Sequence, residues 1–130
     1  MDENAVVEAT CKILISSGCE IIRRCSTIQR GIDIIARRES SGEEFFIEAK
    51  GGTSSRTGSS RYGKPYTQSQ VFDRAAKGVF TCIELRAKYP NHSKQHIVLA
   101  VPDTRWFRSY LEPILLQLQT VDVQVWFTSK

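Results

Sequence analysis

The chain has 130 residues, of which 41% are hydrophobic and 25% charged. That balance is expected of one soluble globular domain spanning 1–130 and excludes a disordered or fibrous chain. The net charge of +4 permits nucleic-acid binding without requiring it. No apolar run approaches the roughly 20 residues that cross a membrane.

The start, Met1-Asp2-Glu3-Asn4, is acidic and unlike a signal or transit peptide, so a cytoplasmic protein is expected. Ala5, Val6, Val7, Ala9, Ile13, Leu14 and Ile15 give residues 3–17 a helical pattern, closed by Ser16-Ser17-Gly18. Residues 19–25 read as a first strand, 31–36 as a second and 45–50 as a third, with a Ser40-Ser41-Gly42-Glu43 turn between the last two. Residues 51–65, rich in Gly and Ser, form a long loop without apolar periodicity, a feature that is usually functional or mobile. A helix is predicted over 67–87 with Phe72, Ala76, Val79 and Ile83 on its inward stripe. Residues 96–101 then form a buried strand. Pro102-Asp103-Thr104 opens a further helix with Phe107, Leu111, Ile114, Leu115 and Leu118 facing inward, and 121–128 closes the chain as a strand. The order predicts a mixed sheet with helices on both faces.

Cys11, Cys19, Cys25 and Cys82 lack a CxxC spacing, and His92 and His96 lack cysteine partners, so reduced buried thiols are expected and zinc is not. The chemistry lies elsewhere. Alternation along the third strand puts Phe46, Glu48 and Lys50 on one face and Phe45, Ile47 and Ala49 on the other. Asp33 comes from the neighbouring strand. Two carboxylates and a lysine converging at the end of apolar strands suit a hard cation with an attendant charge-stabilising group. A solvated strand end is the plainer account of Glu-Ala-Lys. The single hairpin joining Asp33 to Glu48, and the apolar run of both strands, weigh against it.

Asp33 followed by Glu48-Ala49-Lys50 resembles the PD-(D/E)xK nuclease superfamily. The predicted element order is also similar to the αβββαβ core of the restriction-endonuclease-like fold, with a C-terminal helix and strand added. The resemblance implies Mg²⁺-dependent hydrolysis of DNA phosphodiester bonds, with Mn²⁺ able to substitute and no organic cofactor. Asp33, Glu48 and the Ala49 carbonyl would bind the metal, and Lys50 would position water or stabilise the transition state. Glu8, on the first helix, matches a Glu that completes the metal environment in many members; a surface pair with Lys12 is the alternative. Gln68, four residues before Phe72, resembles the QxxxY element of RecB-type nucleases. Phe72 replaces the tyrosine, and Gln70 is the alternative glutamine.

The loop adds Arg56, Arg61 and Lys64 as phosphate contacts, with Tyr62 and Tyr66 as stacking groups. Its glycines would let backbone approach a ligand closely. A small single-domain nuclease resembling Holliday-junction resolvases or restriction-type enzymes would act most simply as a homodimer on duplex or branched DNA. The rival expectation is a non-catalytic nucleic-acid-binding or accessory subunit that keeps the nuclease fold, such as a mobile-element or restriction-complex factor.

Overall fold

The computed structural model describes residues 1–25, 31–54 and 63–130. The chain begins with helix α1 (Glu3–Ser16), followed by strands β1 (Cys19–Arg24), β2 (Ile34–Arg38) and β3 (Glu43–Ala49). Then come α2 (Gln68–Lys88), β4 (Gln95–Pro102), α3 (Arg105–Leu111), α4 (Leu115–Thr120) and β5 (Val123–Thr128). The five strands form one mixed sheet in the order β1-β2-β3-β4-β5. Pairs β1–β2 and β2–β3 are antiparallel, while β3–β4 and β4–β5 are parallel. A tight turn can join antiparallel neighbours, but each parallel step needs a crossover, and the helices supply it.

The sheet separates two apolar cores. On one face Val6, Val7, Cys11 and Leu14 of α1 pack on Ile34, Ala36, Ile47, Ala49 and Val98. On the other, Val71, Ala75, Cys82 and Leu85 of α2, with Phe107 and Leu111 of α3, pack on Phe46, Ile97, Leu99 and Val101. Strand β4 feeds both cores and is buried from Ile97 to Pro102, as expected of a strand covered on both faces.

The second strand lies later than the expected 31–36, leaving Asp33 just ahead of it, and three further elements depart from the sequence expectation. Helix α2 is rotated from the predicted phase: Val71, Ala75, Gly78 and Cys82 are buried, whereas Phe72, Ala76 and Ile83 are exposed. The cause is close packing. A Cβ on Gly78 would stand 2.6 Å from Leu99 Cδ1, so the helix sits down on β4 through its small residues. The last helix is divided by a 3₁₀ turn at Glu112–Ile114, where Pro113 has no N–H to continue an α-helical ladder. The closing strand starts after Val121, because Asp122 adopts a left-handed turn conformation with φ 54°.

Arg86, buried at the other end of α2 from its start, donates to the carbonyls of Gln95 at 2.8 Å and Asp122 at 3.3 Å, as well as to that of Tyr89. It ties α2 to the start of β4 and the turn before β5. The long loop is narrow at its base: Thr53 bridges Pro65, Gly63 N–H donates to Ser54 O at 3.0 Å, and Tyr66 N–H donates to Gly52 O at 2.8 Å. No described helix is long and apolar enough to cross a membrane.

Candidate active site at the ends of β2 and β3

Asp33 immediately precedes β2, where the ladder with β3 stops at Ile34 opposite Ile47. Its backbone carbonyl accepts from Cys25 N–H at 2.9 Å, extending the β1 side. Its side chain takes over on the β3 side, with Oδ2 accepting from Ala49 N–H at 2.8 Å. The acid is thus locked against the strand that carries the rest of the motif. An extended residue turns its N–H and C=O toward the same neighbouring strand, so the Ala49 carbonyl lies along the Asp33 edge.

Glu48 and Lys50 project from the face opposite Ile47 and Ala49, as strand alternation predicts. They form an ion pair at 3.2 Å, and both are largely shielded, with 12% and 14% of their side chains exposed. The lysine stem packs beneath α2: a Cβ on Gly78 would lie 3.3 Å from Lys50 Cγ. The backbone after Lys50 is anchored too, since Lys50 N–H donates to Ala100 O at 3.0 Å.

The electrostatics are those of crowded carboxylates. Burial, with the negative charge of Asp33 next, pushes Glu48 up to about 7 despite Lys50 beside it. Asp33 is also raised, chiefly by burial, while its bond from Ala49 and the charge of Lys50 pull the other way. The Glu48 side chain acts on Asp33 as well, as the smallest of the influences that lower it. A third carboxylate lies within electrostatic range of them. Glu3 is raised by burial and then by the Asp33 charge, with Lys50 and Arg74 opposing.

The sequence pointed instead to Glu8, which lies on the exposed side of α1 and pairs with Lys12 at 3.7 Å. Glu3 comes within electrostatic range of the site because Gly51 lets the exit of β3 cross the start of α1. A Cβ at Gly51 would stand 2.3 Å from the Glu3 amide nitrogen, and Gly52 N–H donates to Met1 O at 2.8 Å. Asp2 then caps the helix by accepting from Ala5 N–H at 2.9 Å. Gly51 therefore admits another piece of this chain rather than a ligand.

Gln68 is exposed at the first position of α2. Gln70 is committed to a capping box: its Oε1 accepts from Thr67 N–H at 2.8 Å, and Thr67 Oγ1 accepts from Gln70 N–H. One turn further, Arg74 is half-buried and stacks over Tyr66 at 5.2 Å. It supplies positive charge to the Glu3 side of the site, a role no sequence motif signalled. Lys64 is exposed and Tyr66 half-buried at the neck of the loop. Arg56, Arg61 and Tyr62 lie outside the described residues.

Compared with protein-family models, curated proteins and solved structures, the chain has no match.

The donor set bears directly on a metal. Among the described residues no group of three or more His, Cys, Asp or Glu side chains is arranged to hold an ion. Asp33 and Glu48 nevertheless supply adjoining hard oxygen donors whose mutual repulsion a divalent cation would relieve. That suits Mg²⁺, which takes one or two carboxylates and keeps water and substrate oxygens for its other positions. Cys82 lies behind this cluster, and burial pushes its thiol up, so it stays a protonated core residue.

Proposed function

We propose that this chain is a Mg²⁺-dependent endonuclease of the restriction-endonuclease-like, PD-(D/E)xK type that hydrolyses DNA phosphodiester bonds. The observation that carries the proposal is the convergence of Asp33, Glu48 and Lys50, with Glu48 raised to about 7. Carboxylates perturbed by burial together with a specific charge partner mark a candidate reaction centre.

Asp33 and Glu48 would hold the cation, with the Ala49 carbonyl as a further oxygen donor. When bound, Mg²⁺ would supply charge neutralisation at the phosphate and acidify a water. Lys50, held by the Gly78 contact and its bond to Glu48, would donate to the phosphate oxygen on which charge develops. Glu3 would orient a water at the opposite side of the cluster. Arg74, Lys64 and Tyr66 rim this end of the molecule and would meet the DNA backbone.

The test is cleavage of labelled single-stranded, duplex, nicked, flapped and four-way DNAs with Mg²⁺, Mn²⁺ or EDTA. Metal-dependent cutting by the native protein, lost in Lys50→Ala, is expected. Salt-sensitive binding without cutting on any of these DNAs would overturn the enzymatic reading in favour of a non-catalytic binding subunit.

A further inference from the structure

We propose that two copies of this chain associate through α2, packed antiparallel about a two-fold axis at the Phe80–Thr81 peptide. The inference rests on the surface of α2 and stands whether or not the site at the strand ends is catalytic.

The exposed surface of α2 is apolar on its side toward α3. Phe72, Ala76, Val79, Phe80 and Ile83 follow one another at helical spacing, with Phe80 65% exposed and Phe72 44% exposed. Across from them Tyr110 and Ile114 close a groove of about 390 Å³, and Phe72 and Tyr110 pack ring to ring at 5.3 Å. An apolar stripe of this length on an otherwise polar helix surface marks an interaction face.

Charge identifies the occupant. At 3.6 residues per turn, Asp73, Lys77, Glu84 and Lys88 fall on one flank of the stripe, alternating in sign. All four are exposed, and among the described residues none has an ion-pair partner; Lys88 lies over the Tyr89 ring at 5.6 Å. Lys77 and Glu84 stand equally far on either side of the Phe80–Thr81 peptide, and so do Asp73 and Lys88. In an antiparallel two-fold pairing, a flank meets the same flank of its mate. Lys77 then faces Glu84 of the second copy, and Asp73 faces Lys88 of the second copy, each contact occurring twice.

The same charges oppose neighbouring registers. An axis at the Gly78–Val79 peptide would set Asp73 against Glu84. One at the Cys82–Ile83 peptide would set Lys77 against Lys88. Only the axis at the Phe80–Thr81 peptide pairs all four charges with opposite partners, as a specific homodimer requires.

Sedimentation equilibrium of the full chain over a concentration series tests this. A monomer–dimer equilibrium is expected, with Phe80→Glu abolishing the dimer; Phe80 is exposed, and circular dichroism would check that the fold is kept. Lys77→Glu and Glu84→Lys each place two like-charge contacts in the interface and should weaken dimerisation by about tenfold. The double variant restores opposite charges and should recover the native association. A monomer at every concentration, a dimer indifferent to Phe80→Glu, or a double variant as weak as the singles would overturn the proposal.

Discussion

The Ala49 amide donates to the Asp33 carboxylate at 2.8 Å, so the first acid of the site is oriented by the strand that carries the second acid and the lysine. This bond replaces the next rung of the β2–β3 ladder, which ends at Ile34 and Ile47. Structure and charge therefore depend on one side chain, and substitutions separate the two roles. Asp33→Asn keeps an acceptor for Ala49 while removing a charge from the cluster. Asp33→Ala leaves the buried amide unpaired, at a cost of about 1–3 kcal/mol. Urea unfolding at pH 8 should show Asp33→Asn at least as stable as the native protein and Asp33→Ala less stable by that amount. Both variants should lose metal-dependent cleavage. Equal stability of the two would show that the Asp33–Ala49 bond carries no weight.

Glu48 gives the pH dependence a sign. Its folded value, about 7, lies above the ordinary 4.5. Its contribution to stability is therefore fully present below pH 4.5 and is lost as pH rises through about 7. That difference corresponds to at most about 3 kcal/mol. Asp33 and Glu3, also raised by burial, act in the same direction. Glu43, lowered to about 2 by bonds from Ser41, His96 and Arg38, acts oppositely in strong acid, so the effect is best read as a difference between variants. Thermal melts of the native protein and Glu48→Gln should coincide near pH 4.5 and diverge above pH 7, the variant being the more stable. Mg²⁺ should raise the melting temperature of the native protein above pH 7 and leave Glu48→Gln unchanged. A gap independent of pH would remove the strained carboxylate from the account.

Strand alternation made Glu48 and Lys50 legible, because period-two order needs no tertiary information. The mixed sheet and its covered faces were legible for a similar reason, from the order and apolarity of the elements. The phase of α2 was not. Both of its faces are apolar, and a reading by hydrophobicity favours the bulkier Phe72, Val79 and Ile83. The sheet instead selects Ala75 and Gly78, because Leu99 and the Lys50 stem leave room only for small residues. Glu3 was hidden for a different reason. It comes within electrostatic range of the cluster through the crossing of β3's exit over α1, a long-range contact made at a glycine with no motif of its own.

Glu3 and Glu8 offer a controlled comparison on one helix. Glu3 feels the charge of the site carboxylates, whereas Glu8 pairs with Lys12 in solvent, with their side chains 60% and 76% exposed. Glu8→Ala should change stability by less than about 0.5 kcal/mol and leave cleavage unaltered. Glu3→Gln should keep the fold, shift the pH profile of Glu48 downward by removing a nearby negative charge, and reduce the cleavage rate. NMR titration of the Glu48 side-chain carboxyl carbon, run with rate measurements on both variants, checks this. A Glu48 titration midpoint unmoved in Glu3→Gln would place Glu3 outside the electrostatic reach of the site.

The crossing that brings Glu3 into place can be tested at Gly51. A methyl group there would stand 2.3 Å from the Glu3 nitrogen and 2.6 Å from the Asp2 carbonyl carbon, both backbone atoms. No rotamer change relieves such a clash, so α1 must shift away from the end of β3. Overpacking of this kind costs about 1–3 kcal/mol. The displacement would also disturb the Gly52–Met1 bond and draw Glu3 from the cluster. Gly51→Ala should therefore lower stability by that amount and reduce cleavage beyond Glu3→Gln, because the backbone next to Lys50 moves as well. Gly52→Ala provides the control: its Cβ would meet Pro102 Cγ at 3.4 Å, an ordinary contact, so stability and rate should stay near native. Urea unfolding and cleavage rates of the two alanine variants decide it, and equal behaviour of the pair would contradict the crossing at Gly51.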